Sequence, residues 1–235
     1  MKKISLLALA VLAYTSLLAQ SFLTPVGGMI GKQEGYVVLL SGDTLQGKLT
    51  MATQMNGLLK TFTFVTTADE KRKLKAEEVQ CLWLKAGTLA KLEAMSEASR
   101  SLKRMASTDF DQIMNREYIV YERALLPGKK EKYALLQLLN PGFDHTIKVY
   151  EHPNGGETAE TSIGGLTVSG GEDKSYLVVK NGAQAQVVKK RTYTESFAWL
   201  FGDCPDMVRH YSEQNEKISF WDFASHTFDY DQTCQ

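Results

Sequence analysis

The stretch Gly35-Tyr-Val-Val-Leu-Leu-Ser-Gly-Asp-Thr-Leu-Gln-Gly-Lys-Leu-Thr-Met51 reads as a β-hairpin, and it sets the fold class of the N-terminal half. Tyr36, Val38 and Leu40 alternate with Val37 and Leu39, the period of an extended strand. Ser41-Gly42-Asp43 supplies turn chemistry, with Gly42 free to take a positive φ. Leu45, Leu49 and Met51 then resume the period of two, and Gly47 marks a bulge or a close backbone approach. Working outward, Thr61 to Thr66 is a further strand with Phe62 and Phe64 on one face, and Ala68 to Lys73 is a charged turn. Val79 to Leu84 is apolar on both faces except at Gln80, the pattern of a central strand.

The period changes at Lys85. Leu89, Leu92, Met95, Leu102 and Met105 recur at helical spacing and predict a helix over Lys85–Ser107, near 86–106, with that stripe on the sheet. Thr108-Asp109-Phe110-Asp111 reads as a second helix start with Thr108 as its cap. Strand signals return at Tyr118–Tyr121, Tyr133–Leu139 and Ile147–Tyr150, separated by turns at Pro127-Gly128 and Pro141-Gly142. His152 to Asp173 reads as a glycine-rich loop with at most a short strand near Leu166-Thr167-Val168. Tyr176–Val179 and Ala185–Val188 form a hairpin across Asn181-Gly182.

After Arg191 the spacing is helical. Phe197, Leu200 and Phe201 make one stripe, Pro205 takes a first helical position, and Ile218, Trp221, Phe223 and Phe228 mark a last helix. The expectation is an α+β protein: a mostly antiparallel, twisted sheet or partly closed barrel, one mid-chain covering helix and a C-terminal helical segment. It divides into 1–19, a leader; 20–190, a β-rich domain; and 191–235, a helical segment packed on it.

Residues 1–19 have the layout of a secretory signal peptide. Lys2 and Lys3 precede the apolar run Ile4–Leu18, and the small Ala19 follows. The run is short for a membrane span, and no other run of eighteen apolar residues exists, so no transmembrane segment is expected in the mature chain. The reading is an exported, soluble protein, periplasmic or secreted. The whole chain carries 27 Lys+Arg and 27 Asp+Glu. A balanced charge argues against a nucleic-acid partner, which needs a basic face. Lys129-Lys130-Glu131-Lys132 and Lys189-Lys190-Arg191 adjoin strand-like runs and read as solvated turn ends.

Export makes a disulfide permissible. Cys81 sits in an apolar run and reads as a buried thiol. Pairing Cys204 with Cys234 would close a loop worth roughly 3–4 kcal/mol on the chain-entropy model. Sequence leaves open whether the two approach.

Signatures of zincins, α/β-hydrolases, phosphate-binding loops and dinucleotide folds are absent from the sequence. His145 and His152 flank Ile147–Tyr150, and an extended strand would hold them ~23 Å apart, too far to share a metal. Asp203, Asp206, Asp222, Asp229 and Asp231 concentrate acid near His210 and His226; helix ends and solvated faces account for them better than paired catalytic carboxylates do. Trp199, Phe201, Trp221, Phe223, Phe228 and Tyr230 read as core rather than as a ligand groove. Gly164-Gly165 and Ser169-Gly170-Gly171 lack the Lys and helix start of a phosphate cradle and read as a surface loop, the first place to look for a binding edge. Asp43-Thr44-Leu45 reads as a turn whose Asp caps its own backbone in preference to a glycan acceptor.

Four stretches, Gly35–Gly47, Gln137–Asp144, Lys174–Val179 and Phe201–Met207, carry a resemblance that covers most of the mature chain. Together they resemble a group of uncharacterised secreted or envelope proteins of Bacteroidetes-type bacteria. The resemblance implies export and a β-rich scaffold; it implies no activity, cofactor or site residue.

The functional expectation is an exported, non-catalytic binding or interaction protein with a protein, glycan or small-molecule partner. No catalytic, cofactor or metal residue is assigned. The alternative is a hydrolase whose non-local site uses the acidic and histidine residues of the C-terminal segment.

Overall fold

The computed structural model describes residues 20–25, 32–99, 105, 108–153, 155–156, 161–163, 166–169, 175–213 and 217–234. The leader at 1–19 lies outside the described residues, as does much of the second half of the mid-chain helix reading. Among the described residues no helix is long and apolar enough to cross a membrane.

The chain is α+β, and the sheet closes. Strands β1 (Gln33–Leu39), β2 (Thr44–Met55), β3 (Leu58–Thr66), β4 (Lys71–Lys75), β5 (Val79–Lys85), β6 (Tyr118–Leu125) and β7 (Tyr133–Gln137) are all antiparallel. Their order is β2-β1-β5-β6-β7-β3-β4, and β2 also pairs with β3, so six strands ring a barrel and β4 flanks it. Closure removes the sheet's open edges. The ring is thinnest between β3 and β7, which share the single pair Leu59↔Leu135. The short helical turn Ala76–Glu78, with Ala76 fully buried, fills the space beside that seam.

The opening hairpin is as the sequence reads it. Gly42 takes φ +92°, and Leu39 donates to the Asp43 carbonyl at 2.9 Å. Gly47 is a close approach, and its cross-strand partner Gly35 is another. A Cβ on Gly35 would fall 1.9 Å from the Trp83 carbonyl oxygen, and one on Gly47 would fall 2.0 Å from that of Val65. This glycine pair lets β1 and β2 coil tightly enough for the ring to close. Val37, Leu39, Leu49, Phe62, Phe64, Leu82, Leu84 and Ile119 fill the interior.

Several expectations change. β2 runs on to Met55 and turns into β3 across Asn56-Gly57, both at positive φ, a two-residue hairpin turn that the sequence reading passed over. β5 is flanked by β1 and β6, but its outer side is open: Gln80 and Trp83 are exposed, and Cys81 is only half-buried. Burial pushes the Cys81 thiol up, while the Trp83 Nε1 donates to its sulfur at 3.3 Å. The mid-chain helix α1 is described over Thr88–Ser99, with a different stripe buried. Ala90, Ala94 and Ala98 face inward, whereas Leu89 and Leu92 are 59% and 54% exposed. Small residues at i, i+4 and i+8 let the helix lie close to its neighbours, which large ones would hold off. The cap of α2 (Phe110–Asn115) is Asp109, whose carboxylate accepts from the Gln112 amide at 3.0 Å; Thr108 does not serve.

A second layer leans on the outer side of β6 and β7. Strands β8 (Ile147–Tyr150), β11 (Ser175–Lys180) and β12 (Gln186–Lys189) form a three-stranded antiparallel sheet. The bridge Leu138↔Tyr150 ties it to the barrel. Between β8 and β11 lies a small hairpin, β9 (Thr161–Ile163) with β10 (Leu166–Ser169), where the sequence suggested one short strand at most. Asn181 and Gly182 turn β11 into β12 at φ 53° and 68°. β11 is buried on both sides: Leu177 and Val179 face the barrel, and Val178 faces the helices. Those helices are α3 (Tyr193–Phe201), α4 (Pro205–Glu213) and α5 (Phe223–Thr233), with Pro205 opening α4 as its sequence position predicts. Cys204 and Cys234 form a disulfide with Cα atoms 5.8 Å apart.

Candidate functional site

The C-terminal residues singled out in the sequence go to separate partners. His226 is buried, and its Nδ1 lies 2.6 Å from the Tyr193 hydroxyl. Burial pushes the Tyr193 phenol far up, so the hydroxyl keeps its proton. Burial likewise pulls His226 down to about 4, leaving it neutral. Its ring is packed by Phe197, Phe201 and Tyr211, a setting of rings without a carboxylate bond to it among the described residues. Asp203 accepts from the Lys180 ammonium at 2.7 Å and from the Tyr230 hydroxyl at 3.1 Å. Burial raises the Asp203 carboxyl, but these donors outweigh it and leave it below the usual range. Asp206 pairs with Arg209, and Asp231 pairs with His145 at 3.0 Å.

His152 bonds the Ser175 hydroxyl at 2.8 Å, so the two strand-flanking histidines serve different neighbours. Among the described residues no group of three His, Cys, Asp or Glu could hold a metal. Phe201, Phe223 and Tyr230 are core, as expected, while Trp221 is exposed beneath the Lys190 ammonium, 3.9 Å from its ring. Asp43 accepts from the Ser41 hydroxyl at 2.8 Å within the exposed turn, a side-chain bond in place of the expected cap on its own backbone. Both glycine pairs of the loop lie outside the described residues. Burial raises the Asp229 carboxyl and the charge of nearby His210 opposes that rise, whereas His226, Asp203, Asp206 and Asp231 have the separate partners given above.

A different constellation stands on the outer face of β2–β1–β5–β6. Register aligns it in rows: Gln46, Tyr36, Trp83 and Val120 form one, and Lys48, Glu34, Lys85 and Tyr118 form the next. Period two puts all these side chains on the side away from the barrel core. The three rings meet: Tyr36 and Tyr118 have centroids 6.1 Å apart, and Trp83 meets Tyr118 edge-on at 6.0 Å. Trp83 is nonetheless 40% exposed. Tyr118 shares a hydrogen bond with Tyr36, which raises its phenol above the ordinary range. Glu34 lies between Lys85 at 3.3 Å and Lys48 at 3.4 Å. Hydrogen bonds from Lys85 and then Lys48 hold its carboxyl below the ordinary range.

Beside the rings the Gly35–Gly47 pair leaves a shallow trough of about 430 Å³, rimmed by Glu34, Tyr36, Gln46, Thr50, Thr67 and Asp69. A second cavity, about 210 Å³, opens at the β3–β7 seam beside Gln54, Tyr121, Gln137 and Glu151. Neither cavity is lined by a residue of the helical segment.

The sequence reading passed over Tyr36, Trp83 and Tyr118 because it took β5 as covered on both faces. The signal that finds two of them is narrower: aromatic residues two positions from a charged one, Tyr36 from Glu34 and Trp83 from Lys85. Compared with protein-family profiles, with curated proteins and with solved structures, the chain matches none.

Proposed function

We propose that this is an exported, non-catalytic binding protein of the cell envelope, periplasmic or secreted, whose partner docks on the outer face of β2–β1–β5–β6. The observation that carries the reading is the contiguous ring cluster Tyr36–Trp83–Tyr118, kept partly open to solvent beside a trough lined in part by two glycines. Folding alone does not require a tryptophan on the solvent side of a closed barrel, and contiguous exposed aromatic surface marks recognition sites. The signal-like layout of 1–19, the disulfide and the resemblance to exported proteins support the compartment.

The test is a footprint. The isotope-labelled mature protein is titrated with fractionated extract of its own envelope and medium, and amide shifts are mapped. Shifts concentrated at Glu34–Val38, Gln46–Lys48, Trp83–Lys85 and Tyr118 are expected. A footprint on the helical segment, or no shift with any fraction, overturns the reading. Peptide mass analysis of exported protein is expected to find an N-terminus at Gln20.

A further inference from the structure

Resting on the reading of this face as a binding surface, we infer that its ligand is an uncharged carbohydrate chain. Four observations carry the inference. The rings Tyr36, Trp83 and Tyr118 come from three adjacent strands and form one patch. A sugar ring presents a face of C–H groups that fits the electron-rich face of an aromatic ring, and its hydroxyls remain at the edges. The trough beside the patch meets those edges with an amide, hydroxyls and carboxylates: Gln46, Thr50, Thr67, Glu34 and Asp69. These groups both donate and accept, as a polyhydroxylated chain requires.

The third observation is what the trough lacks. Its lining includes Gly35 and Gly47, which bring no side chain, and only Tyr36 and Val65 among the rest are apolar, too few to make the pocket that takes a protein hot-spot side chain. The fourth is charge. Glu34 sits between Lys48 and Lys85, and with Asp69 in the same lining two carboxylates balance two ammoniums, so the trough presents little net field and does not select a charged polymer. The trough is open rather than enclosed, and its lining is drawn from β1, β2, β3 and β5, so a chain can lie across several strands.

The experiment is affinity electrophoresis of the mature protein through gels holding a neutral polysaccharide (dextran, laminarin, mannan or xylan), with alginate and heparin as charged counterparts. At least one neutral gel is expected to retard the protein, and Trp83→Ala to weaken that retardation tenfold or more. Trp83→Phe, which keeps a ring, is expected to restore most of it. A thermal melt confirms that Trp83→Ala is folded. Retardation only by alginate or heparin, or retardation indifferent to Trp83→Ala, overturns the inference. If no polysaccharide binds but extract fractions still shift Trp83 and Tyr36 in the footprint, the carbohydrate inference fails and the docking face stands. If neither responds, both fail.

Discussion

Inside the barrel the side chains are mostly aliphatic, Val37, Leu49, Leu82, Leu84 and Ile119 with Phe62 and Phe64 among them; behind β11 the core is built of rings, Tyr193, Phe197, Phe201, Phe220, Phe223 and Tyr230. The barrel is held by a closed hydrogen-bond ladder and carries no cross-link. The helical layer has three short helices that could not stand in isolation, and it adds a disulfide and a buried ammonium. Lys180, 8% exposed, reaches from β11 to the Leu200 carbonyl and the Asp203 carboxylate, and its ammonium lies 4.9 Å from the Tyr230 ring centre. A closed sheet satisfies its backbone by topology, so its side chains need only fill space. Short helices on one side of a small sheet must obtain their stability from large rings and staples.

Paired core truncations test this contrast most severely. Phe223→Ala is expected to cost ~4 kcal/mol in chemical denaturation, and Leu82→Ala in the barrel ~3 kcal/mol. A Leu82 penalty well above that of Phe223 would break the comparison. Next comes the cross-link. Replacing Cys204 and Cys234 with Ser is expected to lower stability by ~3–4 kcal/mol, and reductant should reproduce the loss in the parent but leave the variant unchanged.

Acid comes third. The unfolded chain binds a proton at His226 near 6.5, and the folded chain refuses it until about 4. Stability contributed by neutral His226 is thus complete above pH 6.5 and lost as pH falls towards 4, by ~3 kcal/mol. Denaturation curves across that window should show the fall in the parent and a flatter profile in His226→Gln. All four histidines lie outside the barrel strands, so this dependence belongs to the second layer. The smallest effect is on the barrel surface. Trp83→Ala should change stability by under ~1 kcal/mol, the scale of one cross-strand pair. A larger loss would make the ring cluster a structural element.

Legibility in the sequence followed how directly each feature depends on the side chains in a short window. Gly42 and Asn181-Gly182 announce their turns because the required φ is intrinsic to those residues. Asn56-Gly57 carries the same signal, but the polar alternation after Met51 ended the strand early in the sequence reading. In α1 the leucines drew attention and the alanines were buried; spacing cannot tell which stripe faces a neighbour when the contact is close enough to demand small residues. Barrel closure was visible only as one of two options, since it depends on pairing β3 with β7 through Leu59 and Leu135, far apart in sequence. The ring cluster was illegible because its three members are 36, 83 and 118, joined only by register.

β11 is the wall that both halves share, with Leu177 on the barrel side and Val178 on the helix side. Neither half can come apart without uncovering a strand that the other still needs dry. The two cores should therefore melt as one cooperative unit, with a single calorimetric transition whose van 't Hoff and calorimetric enthalpies agree. Truncating Leu177 or Val178 to Ala should shift that one transition and leave it undivided, despite the different company each side chain keeps.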